Sequence, residues 1–190
     1  MDVKTIAVIG AGAEGRGIAS LAARSGFRTI LEDVSIDRLE RGVTWIHEHY
    51  HDLVERKTLT PQQEQEALRR LATSRSIEDV CRQADLLIEA STDELETKLE
   101  IFTLFDKFSK PRAILASTIP SLSIADLAAI TFRPEDCVGL RFKNPAADAG
   151  LLEIVRAPET SDATVAACRE VGRCMGRQTT IFGELPTEPD

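Results

Sequence analysis

The chain has 190 residues, 43% of them hydrophobic, which is enough to bury one substantial core. Its formal net charge is −8 and it contains no basic run, which argues against nucleic acid or an anionic membrane as a partner. No stretch approaches the roughly 20 apolar residues of a transmembrane helix. Nothing like a leader precedes the first apolar run, so a cytoplasmic protein is expected. The cysteines, Cys81, Cys137, Cys168 and Cys174, form no C-x-x-C pair and read as reduced thiols.

In chain order, Thr5–Ile9 is a short apolar run rich in β-branched residues, followed at once by Gly10-Ala11-Gly12-Ala13-Glu14-Gly15. Ile18, Leu21 and Ala22 then recur at helical spacing. A strand, a glycine turn and a helix are the context that gives G-x-G-x-x-G its meaning. Gly10 permits the tight turn, Gly12 lets a pyrophosphate approach, and Gly15 lets the helix pack against the strand. The phosphates would rest on the helix's unpaired N–H groups and positive dipole end. Phe27–Leu31 reads as a second strand that ends in Glu32-Asp33. An acid about 20 residues beyond the glycines binds the adenosine ribose hydroxyls and repels a 2′-phosphate, so Asp33 favours NAD over NADP. The alternative is a glycine-rich turn that binds nothing; motif and context together outweigh it.

Between 35 and 71 the sequence is charged and amphipathic, with Leu39, Val43, Ile46, Tyr50, Leu53 and Val54 at helical spacing. Thr60 is a candidate N-cap with Pro61 at the first helical position. The stretch is longer than one crossover needs and predicts a helical hairpin projecting from the sheet. His47, His49 and His51 lie on it; a solvated helix face outweighs a metal site. Further on, strands are predicted at 84–89, 113–117, 137–142, 151–155 and 178–182. Helices are predicted at 95–108, with Leu95, Leu99, Phe102 and Phe105 inward, from Ser123, and at 161–174. The last stretch, 183–190, is polar, acidic and proline-rich and is expected to fray. Strands alternating with helices predict a doubly wound, mostly parallel α/β sheet in a single domain, 1–182.

The sequence resembles the NAD-binding domain of the 3-hydroxyacyl-CoA dehydrogenases. Its markers are GAGAEGRGIA at 10–19, ADLLIEASTDELETKLEIF at 84–102, ILASTIPSLSI at 114–124 and GLRFKNPAADAGLLEIV at 139–155. The resemblance implies a Rossmann fold, NAD as cofactor and a role in fatty-acid metabolism. It implies that the hairpin helps cover an acyl-CoA. It also places Ala90, Asp93, Lys98 and Asn144 near the cofactor, besides Gly10, Ala11, Gly12, Ala13, Glu14, Gly15 and Asp33. Glu14 departs from the family's methionine and is expected to weaken NAD binding by repelling the pyrophosphate.

The chemistry does not carry over. Where the family has its general-base histidine this sequence has Arg141, which keeps its charge at any relevant pH. The orienting carboxylate survives as Glu153, and Arg141 is expected to pair with it in a buried, charge-assisted bond. Pro120 stands at the family serine that bonds the substrate oxygen, and proline offers no donor. The family's C-terminal helical domain is not part of this sequence. The expected function is therefore an NAD(H)-binding, dehydrogenase-like protein with no intact catalytic set, of which Glu153 and Asn144 remain. Arg141 and Lys143 would also suit a carboxylate or phosphate ligand. The alternative is an NAD-dependent 3-hydroxyacyl-CoA dehydrogenase completed by a partner chain. An acyl-CoA, a protein partner or a second copy are the other expected partners; no metal is expected.

Overall fold

Apolar residues alternate across the central strands, and that alternation builds two cores, one on each face of a sheet. The computed structural model describes residues 2–92, 94–118, 123–147 and 149–183. In β1 (Thr5–Ile9), Ile6 and Val8 enter one core while Ala7 and Ile9 enter the other. A strand buried on both faces is why the run reads as continuously apolar rather than alternating.

The remaining strands are β2 (Arg28–Glu32), β3 (Leu71–Ser74), β4 (Leu86–Glu89), β5 (Ile114–Ser117), β6 (Cys137–Phe142), β7 (Gly150–Arg156) and β8 (Arg177–Gly183). They form one sheet in the order β3-β2-β1-β4-β5-β6-β7-β8. The first six of these are parallel; β7 runs antiparallel to β6, and β8 is parallel to β7. The order 3-2-1-4-5-6 is that of a doubly wound dinucleotide-binding sheet, with the reversal of direction between β1 and β4.

Helices α1 (Ala13–Arg24), α2 (Ile36–Glu55), α3 (Pro61–Arg70) and α7 (Asp162–Cys174) cover one face. Helices α4 (Ile77–Cys81), α5 (Leu95–Phe108) and α6 (Ile124–Ala129) cover the other. The predicted hairpin is α2 and α3, and Thr60 caps α3 reciprocally with Gln63. Its root is fixed by Tyr50, fully buried, whose hydroxyl donates to the Ser20 carbonyl at 2.6 Å.

The sequence reading missed β3 and α4, so the hairpin leads into an edge strand rather than straight to the central one. Leu95, expected inward, is 45% exposed, and the inward position one turn on is held by Lys98. Cys81, Cys137 and Cys168 are buried, and burial pushes their thiols up to between about 11 and about 12, which makes them inert. No described helix is long and apolar enough to cross a membrane. The stretch 184–190, expected to fray, lies outside the described residues.

Candidate functional site

The glycine turn closes as its sequence requires. Gly10 has φ +104°, and a Cβ there would stand 2.6 Å from the Ala90 carbonyl oxygen. A Cβ on Gly15 would overlap the Gly10 carbonyl, so only glycine lets α1 start this close to β1. Gly12 is the N-cap of α1 and offers no side chain to the first N–H groups. A Cβ on Gly12 would meet nothing within 4 Å, so the approach to that helix end is open. These features fit a pyrophosphate.

A cavity of about 270 Å³ runs from Asp33 and Arg38 past Gly10 and Gly12 to Glu14 and Ala90. A larger groove of about 940 Å³ lies between α2 and β3, away from the glycine turn. At one end of the smaller cavity Asp33 is 5% exposed and accepts from Ala11 N at 3.0 Å, Ser35 N at 2.9 Å and Arg38 Nε at 3.0 Å. A carboxylate offers about four lone-pair sites, so three donors leave room for a ribose hydroxyl. Arg38 was not singled out in the sequence, although it stands in the first turns of the helix that follows Asp33. Beside Asp33, burial and then the neighbouring carboxylate push Glu32 up to about 7.

At the other end, Ala90 follows β4, and its N–H donates to the Ile9 carbonyl at 2.8 Å. Beneath it lies a polar cluster that sequence reading missed. Glu89 is fully buried; its Oε2 accepts from Lys98 Nζ at 2.8 Å and from Ser117 Oγ at 2.6 Å. Its Oε1 accepts from Ser91 N at 2.7 Å and Ser91 Oγ at 2.6 Å. Lys98 is 1% exposed, so it is neither a surface charge nor, as placed, a group open to the cleft. An acid at the end of an apolar strand must find a partner once buried, and that was the signal available in the sequence. Asp93 lies outside the described residues.

Glu14 lines the same cavity as Gly10 and Gly12. Its carboxylate reaches Thr118, which follows β5 and whose Oγ1 donates to Oε2 at 3.0 Å. Pro120 lies outside the described residues. Asn144 has φ +52°, a left-handed conformation that asparagine tolerates. Its loop is held by two arginines: Arg24 Nη2 donates to the Ala147 carbonyl at 2.8 Å, and Arg177 Nη2 to the carbonyls of Pro145 at 2.9 Å and Ala147 at 2.7 Å.

Arg141 and Glu153 stand opposite each other across β6 and β7. Arg141 Nη1 is 3.6 Å from Glu153 Oε2, and Lys143 Nζ is 3.6 Å from the same oxygen. The expected pair is therefore an ion pair and not a hydrogen bond. It is not fully buried either: the Arg141 side chain is 41% exposed and that of Glu153 14%. Antiparallel pairing holds the two residues in register, while the longer Arg141 side chain runs out toward solvent.

Sheet order, glycine turn and buried acid at the end of β2 together define a dinucleotide-binding α/β domain. The chain belongs to the 3-hydroxyacyl-CoA dehydrogenase, NAD-binding domain family, whose model matches residues 5–184, and its cofactor is NAD. It is 38% identical over 184 residues to a 3-hydroxybutyryl-CoA dehydrogenase of Bradyrhizobium diazoefficiens, covering 97% of this chain and 62% of that one. It is 35% identical to the 3-hydroxyadipyl-CoA dehydrogenase of Escherichia coli, covering 98% of this chain and 39% of that one. The crystal structure of (S)-3-hydroxybutyryl-CoA dehydrogenase PaaH1 from Ralstonia eutropha superposes with a TM-score of 0.92 at 31% identity, covering 97% of this chain and 65% of that one. The chain thus spans less than two thirds of the length of these relatives.

Proposed function

We propose that this chain binds NAD(H) but does not by itself carry out 3-hydroxyacyl-CoA dehydrogenation. Gly10, Gly12 and the first turn of α1 would hold the pyrophosphate, Asp33 the adenosine ribose, and Ala90 and Asn144 would flank the nicotinamide half. NAD supplies a hydride acceptor. The alcohol proton then needs an acceptor of the protein's own, and the observation that carries this reading is Arg141 opposite Glu153, where the family pattern has histidine. A guanidinium cannot take that proton. General-base catalysis is typically worth about 10²–10⁴-fold. Glu153 lies opposite on β7, 3.6 Å from each of two cations. In sequence, Pro120 removes the second substrate contact.

The test is NADH production from 3-hydroxybutyryl-CoA by the unmodified chain and by Arg141→His. Neither is expected to turn over, since restoring the base leaves Pro120 in place. Robust turnover by the unmodified chain would overturn the proposal. Isothermal titration with NAD, NADH and acetoacetyl-CoA identifies the ligands directly.

A further inference from the structure

We infer that Glu14 makes the cleft discriminate between the two redox forms of the cofactor, favouring cationic NAD⁺ over neutral NADH. This deepens the cofactor reading above and rests on it.

The placement follows from the sheet. Strands β2 and β4 flank β1 on opposite sides. Asp33, at the end of β2, marks the adenosine side, and the first turn of α1 receives the phosphates. The nicotinamide half must then lie over the ends of β4 and β5. Glu14 sits in the first turn of α1, and its side chain leaves toward that half, to Thr118 immediately after β5. Thr118 is a fixed anchor: it is 4% exposed, and its N–H donates to the Glu89 carbonyl at 3.0 Å. The carboxylate is thereby held on the ring side of the glycine turn, spanning the space over β4.

Glu14 shares its cavity with Asp33 and Arg38, which pair with each other. Below the cleft floor, Glu89 and Lys98 form a closed pair with no net charge. Arg141 and Lys143 lie on the β6 side, and both face Glu153. Glu14, which lines the cavity that begins at Asp33, bonds Thr118 at 3.0 Å.

The chemistry separates two effects. NAD⁺ and NADH share their adenosine, riboses and pyrophosphate; they differ by the positive charge on the oxidised nicotinamide ring. Repulsion between Glu14 and the pyrophosphate acts on both forms and cancels in the ratio of their affinities. Attraction between Glu14 and the pyridinium acts on NAD⁺ alone. Unit charges a few ångströms apart near a protein surface interact strongly enough to change that ratio by about tenfold.

The experiment is titration calorimetry of the full chain with NAD⁺ and, separately, NADH, comparing the unmodified protein with Glu14→Gln and Glu14→Met. Far-ultraviolet circular dichroism checks that each variant is folded. The unmodified protein should bind NAD⁺ more tightly than NADH. In both variants the Kd(NADH)/Kd(NAD⁺) ratio should fall by about tenfold, whichever way the individual constants move. A ratio unchanged on removing the charge overturns the inference while leaving NAD binding intact. Failure of the unmodified chain to bind either nucleotide overturns the cofactor reading and the inference with it.

Discussion

Lys98 Nζ lies 2.8 Å from Glu89 Oε2, and neither side chain is more than 1% exposed. The pair joins α5 to the end of β4, directly beneath Ala90. Removing one partner leaves an uncompensated buried charge, whereas replacing both with apolar groups can be neutral. Lys98→Met should therefore destabilise the fold by about 3–5 kcal/mol. Lys98→Met combined with Glu89→Leu should recover part of that loss, limited by the Ser117 and Ser91 hydroxyls left without their acceptor. Urea unfolding of the single and double variants measures both; equal stability of Lys98→Met and the unmodified protein would contradict the assignment.

The Arg141–Glu153 pair behaves differently. Because the arginine is well exposed, 3.6 Å away, and backed by Lys143 at the same distance, Arg141→Ala should cost no more than about 1 kcal/mol. Glu153→Leu should cost little more, since both cations can turn to solvent. The two side chains are therefore not a tightly bonded buried pair. A large drop in melting temperature for Arg141→Ala would contradict this.

Asp33 is proposed to set the nucleotide preference. Asp33→Asn keeps the acceptor for Ala11 N but removes the charge that opposes a 2′-phosphate and frees Arg38 to meet one. The variant should lose NAD affinity and gain NADP affinity, narrowing the preference by about tenfold or more. Parallel titrations of NAD and NADP check this, and equal binding of both by the unmodified protein would contradict it.

Glu32 gives stability a pH dependence. Its folded-state pKa, about 7, lies above the ordinary 4.5, so the folded protein holds a proton that the unfolded chain releases. The stability due to neutral Glu32 is fully present below pH 4.5 and is lost as pH rises through about 7. The loss amounts to about 3 kcal/mol, and Glu32→Gln should abolish it. Urea unfolding between pH 5 and 8 reads the difference in slope; parallel slopes for the two proteins would refute it.

The elements legible in the sequence were those with strong local signals. The run at Thr5–Ile9 and the glycine turn fixed β1 and α1, Thr60-Pro61 marked the start of α3, and the F-K-N-P stretch located the loop at Asn144. Strand β3 escaped because four mixed residues directly after a helix carry no periodicity, and pairing with β2 supplies their order. Helix α4 is too short for an apolar stripe. The Glu89 cluster escaped for another reason. Its members come from β4, the following turn, α5 and the end of β5, and only the packed sheet brings them together. Glu14 was noticed as a charge at a helix start, but its direction depends on Thr118, far along the chain.

The clamp on the Asn144 loop has a kinetic consequence. Arg24 reaches Ala147 across 123 residues of sequence, and Arg177 comes from the opening of the last strand. Contacts of such wide separation require large loops to close and form slowly. The loop takes its shape only when the chain's first helix and final strand have both docked. Translation must pass Arg177 before both arginines of this clamp are available to the loop.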